Sequence, residues 1–322
     1  DGYAIKLNEK GDLFNSYKLI GVSSAGKPFI KSIKENETVR IFTGAVVPKN
    51  SNKIILQENS IIQDNQIIFN DKIPLKDFIR IKGMDFKKNE IIIKKGTTLD
   101  SRKLALLSLS GNKFVKVFKK PRIAVISSGD ELVSINQFPT IGKIINSNSL
   151  FLINIIRSSG GIPVNLGIIP DKPKALIKKL EKSSNIDLII STGGASVGDK
   201  DYLISDLMNY DPKSIKFWKI AMRPGKPLFF AKWKNIPFLG LPGNPVSVGV
   251  CSLIFVLPSI SKLLGTNFEQ KYIKAILKLT IQKNDERKDF IRSRLNTNTK
   301  GENVVFPSKH QDSSMLNTFS NS

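Results

Sequence analysis

The sequence is short of sulfur and imidazole. Among 322 residues there is one cysteine, Cys251, and one histidine, His310. A single thiol excludes an intrachain disulfide framework and any CxxC-type metal site. A single imidazole, near the C-terminus, argues against a His-rich metal centre and against a Ser-His-Asp triad in the body of the chain. No apolar run approaches the ~20 residues of a membrane span. The longest, residues 246–257, is interrupted by Ser247, Gly249 and Ser252 and stops at Pro258. It predicts a buried core helix, not a membrane segment, with Cys251 as a small core hydrophobe. Arginine is also scarce: 9 of the 50 basic residues are Arg and 41 are Lys. Nucleic-acid readers favour clustered Arg for bidentate contacts. The net charge of +23, spread along the chain as Lys beside 26 Asn, therefore reads as compositional drift with a contribution from an anionic small-molecule site. No nucleic-acid partner is expected.

What is present is globular: 40% hydrophobic, 8% aromatic and 24% charged residues, enough for a sizeable core in two or three domains. Residues 1–81 are rich in Ile, Val and Thr with short turn signals and predict a small β-rich module. Its strands are expected at KIILQ (53–57), IIQDNQIIF (61–69) and in FIRIKG (near 78–82). Residues 82–120 predict a linker region with a strand at IIIKKGTTL and a helix through LALLSLS, capped by Asp100 or Ser101. Residues 121–266 alternate strand and helix: RIAVISS, SLFLINIIRSSGG, NLGIIPD, KPKALIKKLEKSS, DLIISTGG, then a helix from Asp201. WKIAM, LFFAKW and PFLGLPG add three short strands, and NPVSVGVCSLIFVL a helix. This rhythm predicts an α/β fold with a central, doubly wound, mostly parallel sheet. Residues 267–322, with YIKAILKLTIQ, DFIRSRLN and NVVFP, predict a C-terminal β domain. The opening at Asp1 without Met and the ending NTFSNS predict that the natural ends lie outside this sequence.

Four segments carry chemistry. STGGASVGD (191–199) follows an apolar strand and precedes a helix. Gly193 and Gly194 let backbone approach a ligand, and Ser196 adds a hydroxyl; the alternative is a plain strand-to-helix turn. The segment is neither GxGxxG nor a Walker A loop, which excludes those modes of nucleotide binding. SSGDEL (127–132) puts Asp130 and Glu131 at another strand's carboxyl end, with Asp171 after a third and Asp201 beyond the glycine turn. Carboxylates gathered on that rim suit Mg²⁺, a hard cation held by one or two carboxylates plus substrate phosphate; helix capping is the competing role. WKIAMRPGKP (218–227) brings Lys219, Arg223 and Lys226 together as oxyanion binders or as a solvated basic turn. GLPGNPVS (240–247) stiffens a loop at Gly243 and Asn244 between Pro242 and Pro245, where a helix begins.

Seven segments in order — DGYA, RIFTGAVVP, KGMDF, PRIAVISSGDEL, TGGASVGDKDY, WKIAMRPGKP and GLPGNPVS — resemble the molybdopterin molybdenumtransferases, the MoeA-like proteins related to the gephyrin E domain. The resemblance spans nearly the whole chain. It implies a cytoplasmic enzyme of molybdenum cofactor synthesis that takes adenylylated molybdopterin and molybdate with Mg²⁺, releases AMP and works as a homodimer. An adenylyltransferase of the same pathway is a possible partner. The resemblance also places Asp1, Thr43, Asp85 and, more weakly, Ser313 on functional positions. It gives Glu131, Asp171 and Asp201 to metal or water, Lys219, Arg223 and Lys226 to molybdate or phosphate, and Gly193, Gly194 and Ser196 to the pterin phosphate. Alternative readings are a molybdopterin adenylyltransferase and a non-catalytic gephyrin-like scaffold. The chain departs from the family pattern at Lys53, Asn146 and Lys172, where acids are usual.

Overall fold

The structure, a computed structural model, describes residues 1–70, 76–194, 202–282 and 285–322. It divides into two compact units, Asp1–Ile92 and Ile93–Ser322.

In the first unit β1 (Gly2–Ile5), β2 (Tyr17–Ser23), β3 (Glu37–Ile41), β4 (Lys53–Leu56), β5 (Ser60–Gln63) and β6 (Gln66–Phe69) form one sheet, ordered β4-β1-β3-β2-β6-β5. Tyr3, Ile5, Tyr17, Ile55, Ile67 and Phe69 pack together on it. Lys53 is buried on β4, where its ammonium lies 2.8 Å from the Asp77 carboxylate. A buried ammonium needs such a partner, so this departure from the family pattern has a local structural use. The strand expected at FIRIKG does not form. Phe78 turns to φ 55° there, and a residue in the left-handed region cannot continue an extended ladder.

The second unit opens without the strand expected at IIIKKGTTL; Ile93 and Leu99 instead line an apolar hollow with Leu107, Phe118 and Leu264. Helix α1 (Ser101–Leu109) is capped by Asp100, which accepts the Lys103 N–H at 2.9 Å. That carboxyl is drawn down to about 2, chiefly by its bond from the Lys103 ammonium. The sheet then follows: β7 (Arg122–Ser128), a short β8 (Leu132–Val133) and β9 (Ile144–Ile145), α2 (Ser147–Ser158), β10 (Ile162–Ile169), α3 (Ala175–Glu181), β11 (Leu188–Thr192), α4 (Tyr202–Tyr210), β12 (Ile215–Trp218), β13 (Met222–Arg223), β14 (Phe229–Trp233) and β15 (Ile236–Leu241). Its order is β10-β7-β11-β15-β14-β12; the first four strands are parallel, and β14 pairs antiparallel with both β15 and β12.

Successive side chains on a strand face opposite sides, and the burial follows. Ile123 and Val125 of β7 join the core with Leu152 and Ile156 of α2, whereas Ala124 and Ile126 join Leu176 of α3 and Leu203 of α4. The sheet is therefore doubly wound and covered on both faces. Each such Ile or Leu contributes roughly 1.5–3 kcal/mol through burial. Helix α3 starts later than the sequence pattern predicts because Lys174 sits at φ 64°. WKIAM is not a continuous strand: β12 ends at Trp218, and Lys219 takes φ 67°.

After β15 comes α5 (Pro245–Cys251), a π turn over Ser252–Val256 and α6 (Leu257–Leu263). The wider turn lies just before Pro258, which lacks an N–H for the α ladder. The helical run Pro245–Leu263 is longer than the stretch 246–257 expected from the sequence and, by length and composition, is apolar enough to cross a membrane, but half of it is buried inside the unit. Val246, Val248, Cys251, Val256 and Ile260 sit in the core, so it packs as the expected core helix. Burial pushes the Cys251 thiol up to about 12. The remaining elements are β16 (Ile276–Leu277), β17 (Lys288–Asp289), β18 (Ser293–Thr297), β19 (Asn303–Pro307) and α7 (Leu316–Ser320), with β16, β18 and β19 in one small sheet. Only Ile276 and Leu277 of the long apolar stretch YIKAILKLTIQ enter that sheet, as β16.

Candidate functional site

Chain order and sheet order together locate a crevice. From β7 the chain crosses to β10 on one side; from β10 it returns to β11 on the other side of β7. Strand order thus reverses between β7 and β11, and in open α/β sheets ligands bind outside the carboxyl ends at such a point. A cleft of about 330 Å³ lies there. It is lined by Ser128 at the end of β7 and Glu131 beyond it, Thr192 at the end of β11 and Gly193 beyond it, and Gly243, Asn244 and Pro245 after β15. Asn146, Ser147 and Asn148 around the start of α2, Leu132 of β8, Ile144 and Ile145 of β9, and Ser314 complete the wall.

Gly193 sits at φ +79°, and a Cβ there would lie 2.2 Å from the Ser128 carbonyl oxygen. Only glycine fits this meeting of two strand ends. A Cβ on Gly243 would stand 3.6 Å from the Gly193 Cα, so the β11 and β15 loops are in direct contact. Gly194 is at φ +60° against Leu203 and Ser128. Two helix starts face the cleft. Asn146 caps α2, accepting the Ser149 N–H at 3.2 Å. Pro245 stands in the first turn of α5 and fixes the φ that position needs. The Val246 N–H of that turn donates to the Ser313 carbonyl at 3.0 Å, so this orphan donor already has a partner. Among the described residues the cleft offers a ligand backbone N–H groups, hydroxyls, the carboxamides of Asn146, Asn148 and Asn244, one carboxylate, Glu131, and the apolar side chains of Leu132, Ile144 and Ile145.

Asp171 follows β10 and braces the β7 turn. Its carboxylate accepts the Ser128 hydroxyl at 2.7 Å and the Asp130 N–H at 3.3 Å, while the Asp171 N–H donates to Asp130 at 3.2 Å. Asp201 and Ser196 lie outside the described residues. Among the described residues, no group of three or more metal-capable side chains occurs. Pro242 is buried behind the loop, and Ser313 accepts the Asn244 amide at 2.7 Å.

The three basic candidates occupy the turn between β12 and β14 and do not line the cleft. Lys219 and Lys226 are exposed, with the Lys219 ammonium 4.4 Å from the Trp218 ring centre. Arg223 is occupied by carboxylates: it pairs with Asp285 and lies 3.6 Å from Asp289. The Arg287 guanidinium, first, and then Arg223 hold the Asp285 carboxyl down at about 2. The sequence reading missed Arg292, a buried guanidinium bonded to the Phe290 carbonyl at 3.2 Å and the Asp312 carbonyl at 3.4 Å. Desolvation lowers its pKa. An arginine directly after the apolar pair Phe290–Ile291 in DFIRSRLN was the available signal.

In the first unit Asp1 accepts the Thr43 N–H at 2.7 Å, and both line a second cleft of about 470 Å³ with Phe42, Gly44 and Arg80. Asp85 is exposed in the turn that follows and does not line it.

Two family models match: the MoeA N-terminal region (domain I and II) over residues 1–111, and a probable molybdopterin binding domain over residues 124–262. The first of these favours the molybdenumtransferase reading over a lone adenylyltransferase. The chain is 34% identical over 284 residues to the molybdopterin molybdenumtransferase of Nostoc sp., covering 85% of this chain and 65% of that protein. It is 34% identical over 325 residues to that of Haemophilus influenzae, covering 99% and 79%. Two solved structures of a molybdopterin biosynthesis MoeA protein from Pyrococcus horikoshii superpose with a TM-score of 0.80 at 29% and 26% identity, each covering 100% of this chain and 80% of the other. The α/β core, the N-terminal β-rich unit and these likenesses agree: the chain belongs to the molybdopterin molybdenumtransferase family.

Proposed function

We propose that the chain inserts molybdate into adenylylated molybdopterin and releases AMP. The observation that carries this reading is the strand-end cleft, where the Gly193 and Gly243 backbones meet beside Glu131. Glycine at these positions leaves room for a phosphate against the backbone, and helix starts favour its charge. Glu131 and Asp171 present hard oxygen donors only, which fits Mg²⁺, an ion that usually takes one or two carboxylates plus substrate phosphate. Glu131 would hold it from the cleft. Asp171, bonded to Ser128 and Asp130, would fix the turn that aims Glu131. Asp201 is the third residue of this set. When bound, the ion supplies charge neutralisation at the pyrophosphate. Loop 242–245 closes the wall, and Lys219, Lys226 and Arg223 bind the oxyanion. For Arg223 this requires release from Asp285 and Asp289.

The family resemblance supports a homodimer in which the Asp1–Thr43 cleft, with Asp85, completes the site of a second copy. A cytoplasmic setting, and hand-over of substrate from an adenylyltransferase, go with the same reading. The test is incubation with adenylylated molybdopterin, Mg²⁺ and molybdate, following AMP. Release should depend on molybdate; equal release without it would contradict coupled insertion.

A further inference from the structure

We infer that Asn148 is a positioning residue of the strand-end cleft: its amide holds the 242–245 loop against Gly193 and so sets substrate affinity. The inference rests on the reaction proposed above. The loop between β15 and α5 is short, and prolines at 242 and 245 fix φ at its two ends. Gly243, between them, has no such restraint. Its carbonyl accepts the Asn148 amide at 2.6 Å. Asn148 is the second residue of α2, a helix anchored by the fully buried Leu152 and Ile156. An amide joined to a rigid helix through two rotatable bonds is a stiff prop. From the other side Ser313 takes the Asn244 amide at 2.7 Å and the Val246 N–H at 3.0 Å. The loop is therefore clamped between two segments remote in sequence, and Asn148 is the clamp that itself lines the cleft.

A merely structural asparagine would affect melting alone. A positioning one should alter KM more than kcat. The experiment compares wild type, Asn148→Ala and Asn148→Ser in molybdate-dependent AMP release, with hydrogen exchange at residues 242–246. Losing a hydrogen bond of ordinary strength should raise KM for adenylylated molybdopterin about five- to tenfold and leave kcat within about twofold. Exchange in the loop should quicken, with the Asn148→Ser variant intermediate because its hydroxyl keeps a donor. Asn154→Ala, on the same helix and bonded, among the described residues, to the Leu150 carbonyl, should match wild type. A wild-type KM in Asn148→Ala, or a lower Tm with both constants unchanged, overturns the inference. If Asn148→Ala fails to fold, Asn148→Ser decides on the same criteria. If wild type releases no AMP, the proposed reaction falls instead; loop exchange then decides this inference, and unchanged exchange overturns it.

Discussion

The strand-end cleft and the basic turn between β12 and β14 were both expected to bind anions, yet the fold treats them oppositely. The cleft collects Ser128, Gly193 and Gly243, which are 65 and then 50 positions apart, because three parallel strands end side by side. The turn holds Lys219, Arg223 and Lys226 within eight residues, yet the fold supplies Arg223 with Asp285 and Asp289. Closeness in sequence gathers charges without saying what already neutralises them. Strand topology gathers backbone and small side chains around open space.

The comparison can be broken most sharply at Gly193. Alanine there would push a Cβ to 2.2 Å from the Ser128 carbonyl at φ +79°. Strain and overlap should cost about 3 kcal/mol and disable the cleft; urea melts and AMP release measure both. A fully stable Gly193→Ala would refute the close approach of the strand ends. Glu131→Gln comes next. Glu131 is exposed, so melting should hold while AMP release falls at least about tenfold. A wild-type rate would remove Glu131 from the chemistry.

In the basic turn the effects should be smaller. Asp285→Asn should change stability little, since its partners are partly exposed and solvent-screened, and should leave Arg223 with Asp289 alone. Asp285 has its pKa lowered from 3.8 to about 2. Its contribution is thus complete above pH 3.8 and is lost as pH falls through about 2. An acid titration followed by carboxyl NMR tests this; an Asp285 resonance titrating near 3.8 would deny the pairing. Smallest is Cys251: with its thiol pushed to about 12 by burial, it should resist native-state alkylation and react only on unfolding. Rapid labelling of the native protein would contradict its place in the core.

Much of the α/β sheet was legible because β7, β11 and β15 are apolar runs ending at glycine or serine turns, a pattern that local sequence carries. FIRIKG and IIIKKGTTL have the same apolar character and form no strands. A strand needs a neighbour's ladder, and Ile93 finds an apolar hollow instead. The glycine and proline loops of the cleft could be read for the same local reason. The props could not. Asn148 acts on Gly243 across 95 residues, and Asp285 on Arg223 across 62. Such pairings are made by the fold and leave no mark on spacing.

The most direct measurement is hydrogen exchange on the intact chain with and without adenylylated molybdopterin and Mg²⁺. Slowed exchange should centre on residues 191–194 and 242–246, at the carboxyl ends of β11 and β15. Protection confined to other surfaces, with these two segments unchanged, would show that the substrate binds somewhere else.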